Sequence, residues 1–203
     1  MKHKSKPFNI VIYPPDNVIK KAVSISRNLR SKGGQFVLDN VKYYPHITLY
    51  QGEFPLTNLY KIKKSLENFT SELKPFSMNS LKYRQNETGY VDIEYIKTKV
   101  IEVLQKNIIR LVNPLREGLM KKSDIDELDK FGIIQQKNIS RYGFGSVGSN
   151  YFPHLTFTKL RRYNKDILSS IGKQEFSFKA DKISLFYLGE YGTCRKLVEI
   201  FDL

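Results

Sequence analysis

Apolar residues recur along this chain in two rhythms, short runs with the look of strands and longer stretches spaced by three and four. FNIVIY (8–13) is a short apolar run that predicts a strand, closed by Pro14-Pro15. Asp16 or Asn17 then caps a helix over about 17–31, in which Val18, Ala22, Ile25 and Leu29 keep helical spacing and Lys32-Gly33-Gly34 marks the end. QFVL (35–38) predicts a short strand and HITLY (46–50) a clearer one. Leu59, Ile62, Leu66, Phe69 and Leu73 predict a strongly amphipathic second helix. FSMNSLKYR (76–84) and YVDIEYI (90–96) read as a hairpin joined through QNETG. A third helix runs through Val100, Leu104, Ile108 and Leu111, and is ended or kinked at Pro114. Within 123–150, SDIDELDKF predicts a short acidic helix and RYGFGSVGSN a loop rich in glycine and serine. HLTFTKL (154–160) predicts a strand and 164–172 a shorter helix. The strands EFSFKADKISLFYL and KLVEIFDL close the chain, separated by the turn Gly189–Gly192.

One phrase occurs twice. YYPHITLY (43–50) and YFPHLTFT (151–158) share a proline, a histidine and a threonine at matching places, 108 residues apart. Each is followed by a helical pattern and then by a strand opening with Phe-Ser, Phe76-Ser77 and Phe176-Ser177. An offset this long exceeds any solenoid period, so it points to an old duplication giving two similar lobes. Several short strands interspersed with helices make the expected fold class α+β with antiparallel sheets. Residues 1–203 are expected to form a single bilobal domain.

Strand geometry turns the repeated phrase into chemistry. Side chains alternate faces, so Tyr44, His46, Thr48 and Tyr50 are expected on one face of the first strand. Phe152, His154, Thr156 and Thr158 are expected on the matching face of the second. If the lobes pack about a pseudo-twofold axis, two imidazoles and two hydroxyls meet across one groove. A neutral imidazole can take a proton from an attacking oxygen while a protonated one gives a proton to the leaving oxygen, and hydroxyls can hold phosphate oxygens. That arrangement suits phosphodiester cleavage. Which histidine is acid and which is base stays open. One His on a half-polar strand is more often structural than catalytic. With eight threonines in the chain, however, two histidines each finding Thr two places on is a chance of order one in several hundred. His3, in the basic start MKHKSK, is assigned no role.

Composition narrows the partner. The chain has 203 residues, 40% hydrophobic and 27% charged, with a net charge of +14 spread along its length. A polyanion is the expected partner, RNA or a small (oligo)nucleotide before a membrane surface. The single cysteine, Cys194, excludes an internal disulfide. No run approaches the roughly 18 apolar residues of a membrane span, and the first apolar stretch is too short for a signal peptide. A cytoplasmic monomer is expected. HExxH, a Cys/His cluster and GK[ST] are all absent, so neither a metal, nor a cofactor, nor triphosphate hydrolysis is expected. Around the groove, Tyr44, Tyr50 and Phe152 are candidates for stacking on nucleobases, and Arg195 and Lys196 for reaching phosphate. The glycines of RYGFGSVGSN would permit close approach to phosphate or a closing lid.

PHITL and PHLTF resemble the paired HxT motifs of the 2H phosphoesterases. This superfamily includes RNA cyclic phosphodiesterases, the bacterial proteins called 2′-5′ RNA ligases, and enzymes that degrade 2′,5′-oligoadenylates. The closing segment LGEYGTCRKLVEIFDL is similar to the terminal strand pair common in that family. The resemblance implies catalytic roles for His46 and His154 and phosphate-binding roles for Thr48 and Thr156. It also implies a bilobal fold, two antiparallel β-sheets flanking a central cleft with helices on the outer faces. The implied activity is cleavage of 2′,3′-cyclic phosphate or 2′,5′-phosphodiester bonds. Hydrolysis of a signalling cyclic or 2′,5′-linked oligonucleotide is one alternative; a non-catalytic RNA-binding module is another.

Overall fold

The computed structural model describes residues 4–203; His3 lies outside them. Its elements run in the order β1 (Ser5–Ile12), α1 (Asp16–Arg30), β2 (Ile47–Pro55), α2 (Leu59–Thr70), β3 (Phe76–Met78) and β4 (Ser80–Gln85). The second half repeats the scheme with β5 (Tyr90–Tyr95), α3 (Lys99–Val112), α4 (Lys122–Asp126), α5 (Ile133–Tyr142), β6 (His154–Lys159), β7 (Phe178–Ala180), β8 (Lys182–Leu188) and β9 (Cys194–Asp202). Among the described residues, no helix is long and apolar enough to cross a membrane.

Seven antiparallel strands form one sheet in the order β4-β5-β6-β2-β1-β8-β9, and β3 pairs with β7 in a separate ribbon. The order is symmetric about the β6–β2 join. β2 answers β6, β1 answers β5, and β8 answers β4, while β9 has no counterpart. The two wings of the sheet are therefore β4-β5-β6 and β2-β1-β8-β9. They touch through one paired position, Ile47 with Leu155. The third strand of each wing comes from the other half of the chain. The β3–β7 ribbon pairs the two segments that lead into these exchanged strands, β4 and β8.

The helices are exchanged in the same manner. α1, which follows β1, packs beneath β6, and α3, which follows β5, packs beneath β2. Val18, Ala22, Ile25 and Leu29 enter the core from α1 as their spacing requires. In α3 the buried stripe is Ile101, Leu104, Ile108 and Val112. It is offset from the expected one at both ends, leaving Val100 exposed and Leu111 half-buried. Thr98 caps this helix by accepting a hydrogen bond from the Ile101 amide.

Five expected elements differ, two of them because FSMNSLKYR breaks into β3 and β4 at Asn79 and EFSFKADKISLFYL into β7 and β8 at Asp181. QFVL forms no strand: its Gln35 amide donates to the Lys159 carbonyl at 2.8 Å, but beyond that its backbone finds side-chain partners instead of a ladder. The Phe36 carbonyl accepts from Thr158 Oγ1 at 2.7 Å, and the Leu38 amide donates to Ser26 Oγ at 2.8 Å. The helix expected over 164–172 shrinks to a single 3₁₀ turn at Leu168–Ser170. There the Ser169 and Ser170 hydroxyls take the Asp166 and Ile167 carbonyls. The segment around 123–150 is richer than expected, since α5 follows the short acidic helix and ends on Gly143 in the left-handed region.

A matched pair of β-bulges shapes the cleft side of the sheet. Ile10 pairs with Tyr50 and Val11 with Thr48, so Leu49 is the extra residue in β2. Val91 pairs with Thr158 and Asp92 with Thr156, so Phe157 is the extra residue in β6. Each bulge sits one residue past the repeated threonine and reverses the alternation beyond it. Tyr50 and Thr158, expected beside the histidines, thus turn into the core and are 0% exposed. The Tyr50 hydroxyl lies 2.9 Å from Asn113 Oδ1 and 2.7 Å from the Tyr142 carbonyl oxygen, its hydrogen serving these two acceptors. Tyr50→Phe is expected to lower the free energy of unfolding in urea by about 1–2 kcal/mol. An unchanged stability would argue that the hydroxyl faces the cleft after all.

Candidate active site

The β2–β6 join assembles the repeated residues. Continuing the Ile47–Leu155 register by one residue each way sets His46 opposite Thr156 and Thr48 opposite His154. In a strand pair, residues one either side of a core pair share the other face. All four therefore project into one cavity of about 410 Å³. Each motif strand delivers an imidazole and a hydroxyl, and each imidazole neighbours the hydroxyl of the other strand.

The two imidazoles are oriented alike. His46 Nδ1 lies 2.7 Å from the Tyr44 carbonyl oxygen, and His154 Nδ1 lies 3.0 Å from that of Phe152. A carbonyl accepts only, so Nδ1 carries the hydrogen in both rings, and Nε2 is the atom that gains or loses a proton. The proline between His and the carbonyl donor residue fixes this geometry at the strand entrance. The surroundings then differ. Enclosure by protein lowers the His46 pKa from 6.5 to about 4; hydrogen bonding to the Tyr44 backbone opposes this, and repulsion from His154 adds to it. Part of the His46 ring still opens to the cleft.

His154 sits in a stack of its own. Phe152 lies against it with ring centroids 4.5 Å apart, and the Arg84 guanidinium covers the far face of Phe152 at 4.2 Å. Arg84 is held by Asp92 Oδ2 at 3.1 Å and Glu94 Oε1 at 3.0 Å.

The two threonine hydroxyls are also unlike. Thr48 Oγ1 accepts from Asn9 Nδ2 at 3.1 Å, which leaves its own hydrogen free for the cleft. Thr156 Oγ1 donates to Asp92 Oδ1 at 2.6 Å, so its hydrogen is already engaged by a carboxylate that is 1% exposed.

The other expected site residues divide. Phe152 lines the cavity. Tyr44 instead packs on Phe186, with centroids 4.9 Å apart, and its backbone bridges to Cys194. Arg195 stands over the Tyr43 ring at 4.2 Å, outside the cavity lining. Tyr43 stacks on Phe36, and Phe36 on Tyr191, so Arg195 braces an aromatic pillar whose inner members form the cleft wall. The glycine-rich loop contributes Phe144 and Ser146 to the opposite wall.

Arg84, Asp92 and Tyr191 escaped sequence reasoning. Asp92 left one signal, a carboxylate alternating with apolar residues in VDIEY. Tyr191 left none, although its backbone is unusual for a side chain of this size, with φ of +59° in the β8–β9 turn. Among the described residues, no three His, Cys, Asp or Glu side chains are grouped to hold a metal ion.

No protein-family model and no curated protein sequence matches the chain. Solved structures do. E. coli LigT in its apo form superposes with a TM-score of 0.56 at 12% identity, covering 98% of each chain. E. coli LigT complexed with 3′-AMP gives 0.55 at 13% identity over 98% of this chain and 99% of that one. A structure described as a phosphoesterase gives 0.52 at 11% identity over the same shares. The likeness is one of fold, and it runs over nearly the full length.

The unequal threonines make a stability prediction. Thr156→Val strips the buried Asp92 carboxylate of its hydroxyl donor and is expected to cost about 1–3 kcal/mol in urea unfolding. Thr48→Val should cost less, since Asn9 Nδ2 keeps Cys194 Sγ at 3.4 Å. Equal losses would show the two hydroxyls to be equivalent.

Proposed function

We propose that this protein is a metal-independent phosphodiesterase of the 2H type, cleaving 2′,3′-cyclic phosphate or 2′,5′-phosphodiester bonds of RNA ends or oligonucleotides. The observation that carries the proposal is the β2–β6 register, which sets two Nδ1-anchored imidazoles and two hydroxyls on one face of one cavity. E. coli LigT, which shares the fold, has been crystallised with phosphate and with 3′-AMP. Those ligands fit the chemistry proposed for this cavity.

The geometry supports a division of labour. His46, whose pKa is lowered to about 4, stands neutral near pH 7 and so serves as the base. For a 2′,3′-cyclic phosphate, His46 Nε2 takes a proton from water as the water oxygen bonds to phosphorus. The bond from phosphorus to one ribose oxygen breaks, and that oxygen receives the proton from His154 Nε2. One water is added overall, and the two imidazoles exchange protonation states until solvent resets them. Thr48, whose hydroxyl hydrogen is unclaimed, donates to a non-bridging oxygen. Thr156 can do so only by releasing Asp92, so it contributes less to holding the phosphate.

Hydrolysis of 2′,3′-cyclic nucleotides in EDTA tests this directly. His46→Ala and His154→Ala should each lower kcat/KM by about 10²–10⁴. Retention of wild-type activity by either would overturn the two-histidine mechanism. The pH profile of kcat/KM carries the sign of the His46 shift. Protonation disables a base, and this base protonates near pH 4 instead of 6.5, so activity should persist through pH 5.5 and fall only as pH approaches 4. The alkaline limb should report the acid and vanish in His154→Ala. An acid limb centred at 6.5 would reassign the base.

A further inference from the structure

We infer that the substrate is an oligonucleotide whose chain leaves the cleft along the end of β6 and lies across a basic groove formed by the 161–166 loop and Lys32. The inference rests on the phosphodiesterase reading and names the substrate class of that same site.

The track begins in the cleft. Past the Phe157 bulge, alternation in β6 puts Lys159 on the cleft side, and its Nζ lies 5.2 Å from the Tyr90 ring and 5.4 Å from the Tyr191 ring, both of which line the cavity. Two residues on, just past the end of β6, Arg161 is anchored by its amide to the Gly33 carbonyl at 3.2 Å. Arg161, Arg162, Tyr163, Lys165 and Lys32 then line a surface groove of about 790 Å³. Arg161 lies five residues beyond Thr156 and past the end of β6, in the groove and outside the cavity lining, so a ligand held between the imidazoles reaches it only by extending beyond the cleft.

The groove has the chemistry of a single-strand track. Lys32, Arg161, Arg162 and Lys165 are exposed, and none makes an ion pair with a carboxylate among the described residues. One carboxylate, Asp166, shares the groove with these four cations. Tyr163, 59% exposed, stands among the cations with a free ring face. Alternating cations and an exposed aromatic ring suit phosphates and stacked bases in sequence-tolerant binding. Lys159, two residues before Arg161, adds a cation beside the cleft-lining Tyr191.

The test uses the full chain and the triple variant R161A/R162A/K165A, whose exposed positions leave the core intact; circular dichroism and melting verify that. The substrates are a 2′,3′-cyclic mononucleotide and a fluorescent octanucleotide ending in a 2′,3′-cyclic phosphate. The wild type should show a KM about tenfold or more lower, and a steeper salt dependence, on the octanucleotide than on the mononucleotide. The triple variant should lose that advantage with kcat unchanged and turn over the mononucleotide as the wild type does. Equal KM values for both substrates in the wild type, or an equal loss on both in the variant, would overturn the track while leaving the phosphodiesterase proposal standing. If neither substrate is hydrolysed, the phosphodiesterase proposal fails, and fluorescence anisotropy with the octanucleotide still reads the groove. Salt-sensitive binding lost in the variant supports the track; binding unchanged by the variant rejects it. Tighter association with phosphatidylserine vesicles than with the octanucleotide, lost in the same variant, would also reject it in favour of a membrane surface.

Discussion

The single antiparallel contact between Ile47 and Leu155 governs the rest of the molecule. Antiparallel pairing has local twofold symmetry, so one apolar pair on the core side dictates two mixed pairs on the other side. Both strands carry the same His-apolar-Thr triplet, and the symmetry therefore sets each imidazole beside the other strand's hydroxyl. A shift of one residue in this join would turn every one of these groups to the opposite face. α1 beneath β6 and α3 beneath β2 hold the two apolar residues from below, and the matched bulges end the cleft face just past the threonines.

Symmetry of backbone does not extend to chemistry. Asn9, a donor, backs the first hydroxyl, while Asp92, an acceptor, backs the second. One imidazole is shut in until its proton affinity falls; the other leans on a ring that is itself covered by a guanidinium. Only the second half inserts α4 and α5 between its helix and its motif strand, and this insertion supplies one wall of the cleft. Such differences bias the two imidazoles toward unlike roles before any substrate is bound.

Much of this was legible in the sequence, for reasons that can be named. The repeated HxT triplets are local and short, and the period of two put each His and Thr on a common face without further help. The strand breaks at Asn79 and Asp181, which separate β3 from β4 and β7 from β8, had no such signal, since a polar residue in a strand usually marks only the solvent side. The bulges were invisible for a similar reason. Strict alternation placed Tyr50 in the cleft, and only the pairing partners reveal the extra residue at Leu49 that turns it away. Arg84 and Tyr191 join the site through the partners they meet in space, Phe152 and Phe36, far from them in sequence. QFVL looked like a strand because its composition is right; beyond Gln35, its hydrogen bonds are taken by the lone hydroxyls of Ser26 and Thr158.

The exchange of third strands between halves has a consequence for how the chain is made. β1 waits for β8, which begins only at residue 182. The wing bearing the first motif therefore closes after the other one, and an emerging polypeptide keeps a hydrophobic edge of β1 unpaired until β8 has been made. Contacts between such distant positions raise contact order and slow folding. Severing the chain at the β4–β5 turn would not free two miniature domains. It would leave two halves, each lacking a strand that only the other can lend.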